Sequence, residues 1–243
     1  MAEETRTLAV RFEAGALTLH EARDEHGVYY AIPGTAPVPA GPSVALPLAR
    51  ALHARIRPVG SAETVLRGWS QGAPPREVAH HDPAAAAPRR IRAGAIVIRD
   101  GAILLIRMTD DQDPDFAGPD GVWFEIPGGG VEAGETPVAA AVRELREETA
   151  LTGTVVREVA RVWRDLNREH YYLLDADGEV GPAESLDTYG GTPVWVPVAD
   201  LPGVAVWPRR LAWRIAHWHG AGWPAYPAEL ADSIRDLGAP CDW

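Results

Sequence analysis

The sequence predicts an α/β or α+β sandwich preceded by a small mixed α/β module. Three observations lead there. Short apolar runs with strand-like alternation recur along the chain, one strongly helical segment follows a glycine triplet, and a Pro/Ala-rich stretch separates two regions of different pattern. In the first region, alternation near Leu8–Phe12, Ala16–His20 and Val28–Ile32 predicts short strands. Leu48, Leu52 and Ile56, at i, i+4 and i+8, predict an amphipathic helix over 43–56. From Gly72 through His80-His81-Asp82-Pro83 to Pro88 the composition is that of a linker, with the two histidines exposed and idle. A division into a 1–88 module plus linker and an 89–243 domain is therefore expected.

In the second region, the apolar runs Gly94–Ile98 and Ala102–Ile106 flank Arg99-Asp100-Gly101, a hairpin signal. The acidic stretch Asp110–Asp115 lacks the glycine and terminal glutamate of a calcium loop and reads as a hairpin excursion. Further strands are expected over 123–126, 155–161, 171–174 and 194–198, and helices over 137–149, 209–219 and 228–237.

Composition narrows the function. The 243 residues carry a net charge of −11 and no lysine, every basic residue being arginine. Schiff-base chemistry and lysine-dependent phosphate loops are thereby excluded. Such an acidic chain repels a polyanion, so no nucleic-acid polymer is expected as partner; a small polyphosphate could still bind through divalent cations. Cys241 is the lone cysteine, which excludes an intrachain disulfide and a Cys-based metal site. No apolar run approaches the roughly 20 residues that span a bilayer, and Met1–Arg6 lacks a signal-peptide start. The expectation is a cytoplasmic protein with no membrane partner; a homodimer stays open.

The chemistry is concentrated between Gly128 and Leu151. Thr136 is placed to cap a helix and Pro137 to occupy its first position. Val138, Val142, Leu145 and Thr149 form one side, expected to pack on the sheet, with Glu144, Glu147 and Glu148 opposite. Three carboxylates on one face repel one another, and Arg143 offsets only part of that. Clustered oxygen donors suit a hard cation, Mg²⁺ or Mn²⁺. Gly128, Gly129 and Gly130 allow positive φ and close backbone approach to a ligand.

These residues carry a resemblance. Gly129-x5-Glu135-x7-Arg143-Glu144-Leu145-x-Glu147-Glu148-x-Ala150-Leu151 resembles the Nudix box, G-x5-E-x7-R-E-U-x-E-E-x-G-U with U apolar, and departs from it only where Ala150 replaces the final glycine. The resemblance implies a Nudix-type α/β/α sandwich with a mixed sheet. It implies a hydrolase that cleaves a diphosphate bond in a small molecule, a nucleoside diphosphate linked to another group or a nucleoside triphosphate. Glu144 and Glu148 would bind Mg²⁺, with Glu147 a further ligand or near-ligand, Glu135 supporting the loop and Arg143 orienting a glutamate. The metal would polarise a phosphoryl oxygen and activate water. Glu184 is the preferred loop base, with Glu169 and Asp187 as alternatives.

Other residues fit less decisively. Trp123 and Phe124, just ahead of the glycines, are placed to touch substrate, whereas Trp207 and Trp218 share a helical stripe with Leu211 and Ile215 and read as core. Arg92, with Arg89 and Arg90, could meet phosphates or simply solvate the domain junction. A non-catalytic Nudix-like ligand sensor with residues 1–88 as an interaction module is the alternative function, weakened by retention of every box carboxylate. An isomerase on the same fold would need a reactive cysteine, and Cys241 sits in the tail.

Overall fold

A computed structural model of the chain describes residues 6–35, 41–109, 121–164, 166–233 and 237. Two compact units share it. One is drawn from the residues up to Ala87 with Tyr226–Ala231, the other from Pro88–Ala225 and Asp232–Cys241.

The first unit holds β1 (Thr7–Ala9), β2 (Phe12–Glu13), β3 (Ala16–Asp24), β4 (Gly27–Ala31), β5 (Ser43–Pro47), α1 (Leu48–Ala51), β6 (Ile56–Arg57), α2 (Val59–Ser70) and β7 (Glu77–Ala79). The sheet order is β2-β3-β4-β6, with β5 also antiparallel to β3. The helix expected over 43–56 is corrected. Ser43–Pro47 is a strand, and a single helical turn follows it. Leu52 and Ile56 are buried and Leu48 is partly buried against the same core, but a helical turn, its C-cap and a strand bring them there, so their spacing counterfeits one helix. The real helix, α2, follows Pro58 and buries Val59, Ala62, Val65 and Leu66 at amphipathic spacing. The linker is also structured. Val78 pairs with Leu8 across β1 and β7, and His81 accepts the Ser61 N–H through its carbonyl at 3.0 Å.

A charge cluster is buried in this unit. Arg55 donates to Asp24 at 2.9 Å and to Glu229 at 2.8 Å, and Arg57 donates to the same two carboxylates. Burial opposes the charge on Asp24, but the Arg55 and His26 hydrogen bonds and the two guanidinium charges overcome it and hold the carboxyl at about 2. Glu229 belongs to the strand Ala228–Ala231, which corrects the helix expected over 228–237; residues 234–236 of that span lie outside the described residues.

The second unit is an α+β fold on a mixed sheet: β8 (Arg90–Arg99), β9 (Ala102–Thr109), β10 (Val122–Glu125), β11 (Gly128–Gly130), α3 (Pro137–Thr149), β12 (Thr152–Arg164), β13 (Asn167–Asp177), β14 (Thr192–Pro197), β15 (Val206–Trp207) and α4 (Arg209–Ala221). The strand order β15-β10-β9-β8-β13-β12 places β8 at the centre. β8 pairs parallel with β13 along residues 90–97, antiparallel with β11 over 92–94, and with β9 through the hairpin at Asp100 (φ 51°) and Gly101 (φ 77°). Both central residues at positive φ make the two-residue turn whose twist suits a hairpin.

Both faces of β8 are buried. Ala93, Ala95 and Val97 pack with Ala140, Ala141 and Leu145 of α3, while Ile96, on the opposite face by the period of two, is 0% exposed. The small side chains on both partners let α3 lie close to the sheet. Gly94 is needed for a different reason: a Cβ there would fall 2.6 Å from Tyr171 Cε1. Among the described residues no helix is long and apolar enough to cross a membrane. The acidic stretch 110–115 and Cys241 lie outside the described residues.

Candidate active site

Helix α3 starts as its residues dictate. Thr136 caps it by accepting the Ala139 N–H at 3.2 Å, and Pro137 takes the first position. Its packing face differs from the expected one. Ala140, Ala141, Leu145, Glu148 and Thr149 are buried, whereas Val138 is 43% exposed. Rotating the buried stripe toward alanines brings Glu148, one turn beyond Leu145, inward beside β11.

Glu148 is 8% exposed and accepts the Gly128 N–H through Oε2 at 2.8 Å. Among the described residues no cation forms an ion pair with it. Burial pushes its carboxyl up to about 8. The Gly128 hydrogen bond opposes that rise, the Glu144 and Glu125 charges add to it, and the Arg92 charge counters it. Arg143 gathers the neighbouring acids: its guanidinium donates to Glu135 and Glu144 at 3.0 and 2.9 Å, to Glu147 at 2.9 Å and to the Gly130 carbonyl at 2.9 Å. The Arg143 hydrogen bond, aided by the Glu132 N–H, holds the Glu135 carboxyl below its usual range.

The glycine triplet works by space, which corrects the expectation of positive φ. None of the three has positive φ; the turn glycine is Gly134, at φ 82°. A Cβ on Gly128 would lie 2.3 Å from the Ala93 carbonyl oxygen, and one on Gly129 only 2.1 Å from Glu144 Oε1. Side chains there would displace the carboxylate or the sheet. The helix ends at Ala150 in the left-handed region, φ 65° and ψ 3°, with its N–H on the Arg146 carbonyl.

These groups line a cavity of about 520 Å³. Its wall holds Gly128–Gly130, Arg143, Glu144, Glu147 and Glu148, joined by Arg90 and Arg92 from β8, Glu125 from β10, and Asp187, Thr188 and Tyr189 from the loop before β14. Arg92 donates to the Gly128 carbonyl at 3.1 Å and lies 3.7 Å from Glu169. Glu169 is 1% exposed and accepts from Tyr171 at 2.6 Å and Arg164 at 2.9 Å, so it sits behind the wall rather than facing a substrate.

The structure does not bring every expected residue here. Trp123 packs into a cluster with Trp207 and Leu237, its indole N–H on Glu125 at 3.1 Å, and neither Trp123 nor Phe124 is among the described residues lining the cavity. Alternation turns only Phe124 to the other face of β10; Trp123 shares a face with Glu125, but its indole is held in the cluster while Glu125 reaches the cavity. Arg89 is likewise absent from the described wall. Glu184 lies in the one-turn helix Ala183–Ser185, and its side chain is outside the described residues.

The model of the NUDIX domain matches residues 88–218. The chain belongs to the NUDIX family. Similar proteins include an RNA pyrophosphohydrolase of Gluconacetobacter diazotrophicus, 40% identical over 82 residues, which are 33% of this chain and 48% of that protein. A MutT-like protein of Streptomyces ambofaciens is 37% identical over 76 residues, 31% of this chain and 42% of that protein. The chain thus spans less than half the length of these curated relatives. The solution structure of the E. coli ORF135 protein is similar at 27% identity and a TM-score of 0.45, covering 56% of this chain and 94% of that one.

The NUDIX segment begins within two residues of β8 and ends inside α4, so the cavity lies wholly within it. Among the described residues, no three His, Cys, Asp or Glu side chains are poised as a ready-made metal site. The donor set nevertheless fits a hard divalent cation. It is oxygen-only, and Glu148 is a buried carboxylate without an ion-pair partner, a state that is costly until a positive charge arrives. Sequence reasoning missed Glu125, Thr188 and Tyr189. The first shares a strand face with Trp123, so alternation alone does not separate them; the other two come from a loop whose fold back onto α3 no local pattern records.

Proposed function

We propose that this NUDIX chain hydrolyses a diphosphate bond in a small, nucleoside-diphosphate-like molecule with Mg²⁺, Mn²⁺ being able to substitute. The observation that carries the reading is Glu148, buried and unpaired at the head of the Gly128–Gly130 strand with Glu144 beside it. Glu144 and Glu148 would hold the metal, with Glu147 at the more exposed edge. A bound divalent ion supplies Lewis-acid polarisation of a phosphoryl oxygen and a more acidic water.

The chain's own residues supply the rest. Arg143 orients Glu144 and Glu147, and Glu135 anchors Arg143. Gly128, Gly129 and Gly130 keep the wall open for phosphate oxygens, and Arg92, steadied by Glu169, offers a cation to them. Asp187 is the described loop carboxylate on the wall and the nearest described substitute for Glu184 as acceptor of the water proton. The acidic net charge favours small ligands over nucleic-acid polymers, in a cytoplasmic setting. Residues 1–87 with 226–231 are proposed to be an accessory module.

The test is a Mg²⁺-dependent screen of diphosphate compounds with wild type and Glu148→Gln. Turnover of at least one compound by wild type, lost in the variant, is the expected result. Equal turnover by both proteins removes Glu148 from the chemistry, and binding without turnover favours a ligand sensor.

A further inference from the structure

Tyr189 is 90% exposed and stands on the wall of a cavity otherwise rich in charge. Its backbone explains why it stays there. The Gly191 N–H donates to the Thr188 carbonyl at 2.9 Å, and the two residues between, Tyr189 and Gly190, have φ of 51° and 89°. That is a turn with two left-handed central residues, which Asn, Asp and Gly favour and tyrosine does not. A bulky side chain held against its backbone preference is a mark of functional constraint when the surroundings enforce it.

Here they do. Thr188 is 3% exposed, and its hydroxyl donates to the Gly191 carbonyl at 2.5 Å. A Cβ on Gly191 would lie 2.4 Å from Ile106 Cγ2 and 2.5 Å from Met108 Sδ, so the turn is pressed flat onto β9. Asp187 donates its N–H to the Glu147 carbonyl at 3.1 Å, tying the same loop to the end of α3. The backbone that carries the ring is thus fixed relative to the carboxylates, and Ile106 and Met108 give the same wall an apolar part. An exposed aromatic ring on an anchored turn, with aliphatic and thioether surface in the same wall, suits a flat heteroaromatic ring.

The geometry points to Tyr189 as a stacking platform for a nucleobase, so that the cavity takes a base-bearing diphosphate in preference to a base-free one. Only the placing of the diphosphate against Glu144, Glu148 and Arg92 rests on the hydrolase reading. The test measures binding, so that it can be read whether or not the protein turns anything over. The Kd of the non-hydrolysable α,β-methylene-ADP is determined by calorimetry with Mg²⁺ for wild type, Tyr189→Ala and Tyr189→Phe, beside methylenediphosphonate as the base-free probe. Wild type should prefer the base-bearing probe. Tyr189→Ala should weaken that probe by roughly tenfold, in the range of one lost base–aromatic stack, and so erode the preference, while Tyr189→Phe restores it. Unfolding curves confirm that both variants fold. Equal affinity of wild type and Tyr189→Ala for the base-bearing probe overturns the assignment, as does a wild type that shows no preference or binds neither probe. Hydrolysis failing while the stacking differences persist sinks the hydrolase reading alone.

Discussion

Replacing Ala150 by glycine should stabilise the protein, although the same replacement in a helix normally does the opposite. Ala150 closes α3 at φ 65° and ψ 3°. An L-residue in that region carries roughly 1–2 kcal/mol of steric cost, which glycine removes. Glycine also frees the unfolded chain, which works against folding by about 0.4–1 kcal/mol. Ala150 is exposed, so little burial is lost with its methyl. The strain term wins by roughly 0.5–1 kcal/mol, or about 2–3 °C in Tm for a domain of this size. Ala139, also exposed but inside the helix, has no such strain, and Ala139→Gly should cost up to about 1 kcal/mol. The assay is thermal unfolding of the two variants and wild type by calorimetry in one buffer. A lower Tm for Ala150→Gly, matching that of Ala139→Gly, refutes the strain argument.

Other outcomes follow from the same geometry. Burial opposes ionisation of Glu158, but hydrogen bonds from His170 at 2.7 Å and Arg161 at 2.8 Å overcome it and hold the carboxyl at about 2. A carboxylate depressed in this way stabilises the fold above its ordinary pKa of 4.5, and that stability is lost as pH falls toward 2. Glu158→Gln should therefore flatten the acid limb of a Tm-against-pH curve by up to about 3 kcal/mol; an unchanged limb contradicts it. Gly94→Ala should destabilise by about 1–3 kcal/mol in urea unfolding, because the Tyr171 ring that a Cβ would strike is pinned through its hydroxyl to Glu169. Without metal, Glu148→Gln should raise Tm by removing a buried carboxyl whose ionisation is opposed by burial and by the Glu144 and Glu125 charges, and saturating Mg²⁺ should narrow the gap; a lower metal-free Tm for the variant counts against the unpaired carboxylate.

How much of this was legible depended on how local the cause was. The Thr136 cap, Pro137 start and Glu144–Glu148 spacing are written in adjacent residues, and the helix forms where they place it. The hairpin at Asp100-Gly101 is equally local. Leu48, Leu52 and Ile56 misled because a single helical turn, its C-cap and a strand deliver them to one core, which periodicity cannot distinguish from one helix. Hydrophobicity assigns Val138 to the packed face, yet Ala140, Ala141 and Leu145 are what α3 sets against Ala93 and Ala95, so the buried stripe is rotated and Glu148 goes inward. Trp123 drew attention by type, but its indole packs with Trp207 and Leu237, and Glu125, two residues on along the same strand face, lines the cavity instead. Tyr189 meets the box only through the tertiary path of its loop, from the Glu147 carbonyl to β9.

Cation binding can be measured without any substrate. Titration of the metal-free protein with Mn²⁺, with free ion counted by electron paramagnetic resonance, should show binding by wild type that is weakened on the order of tenfold or more in Glu148→Gln and competed by Mg²⁺. Identical Mn²⁺ isotherms for wild type, Glu144→Gln and Glu148→Gln would contradict the assignment of these carboxylates as the metal's ligands.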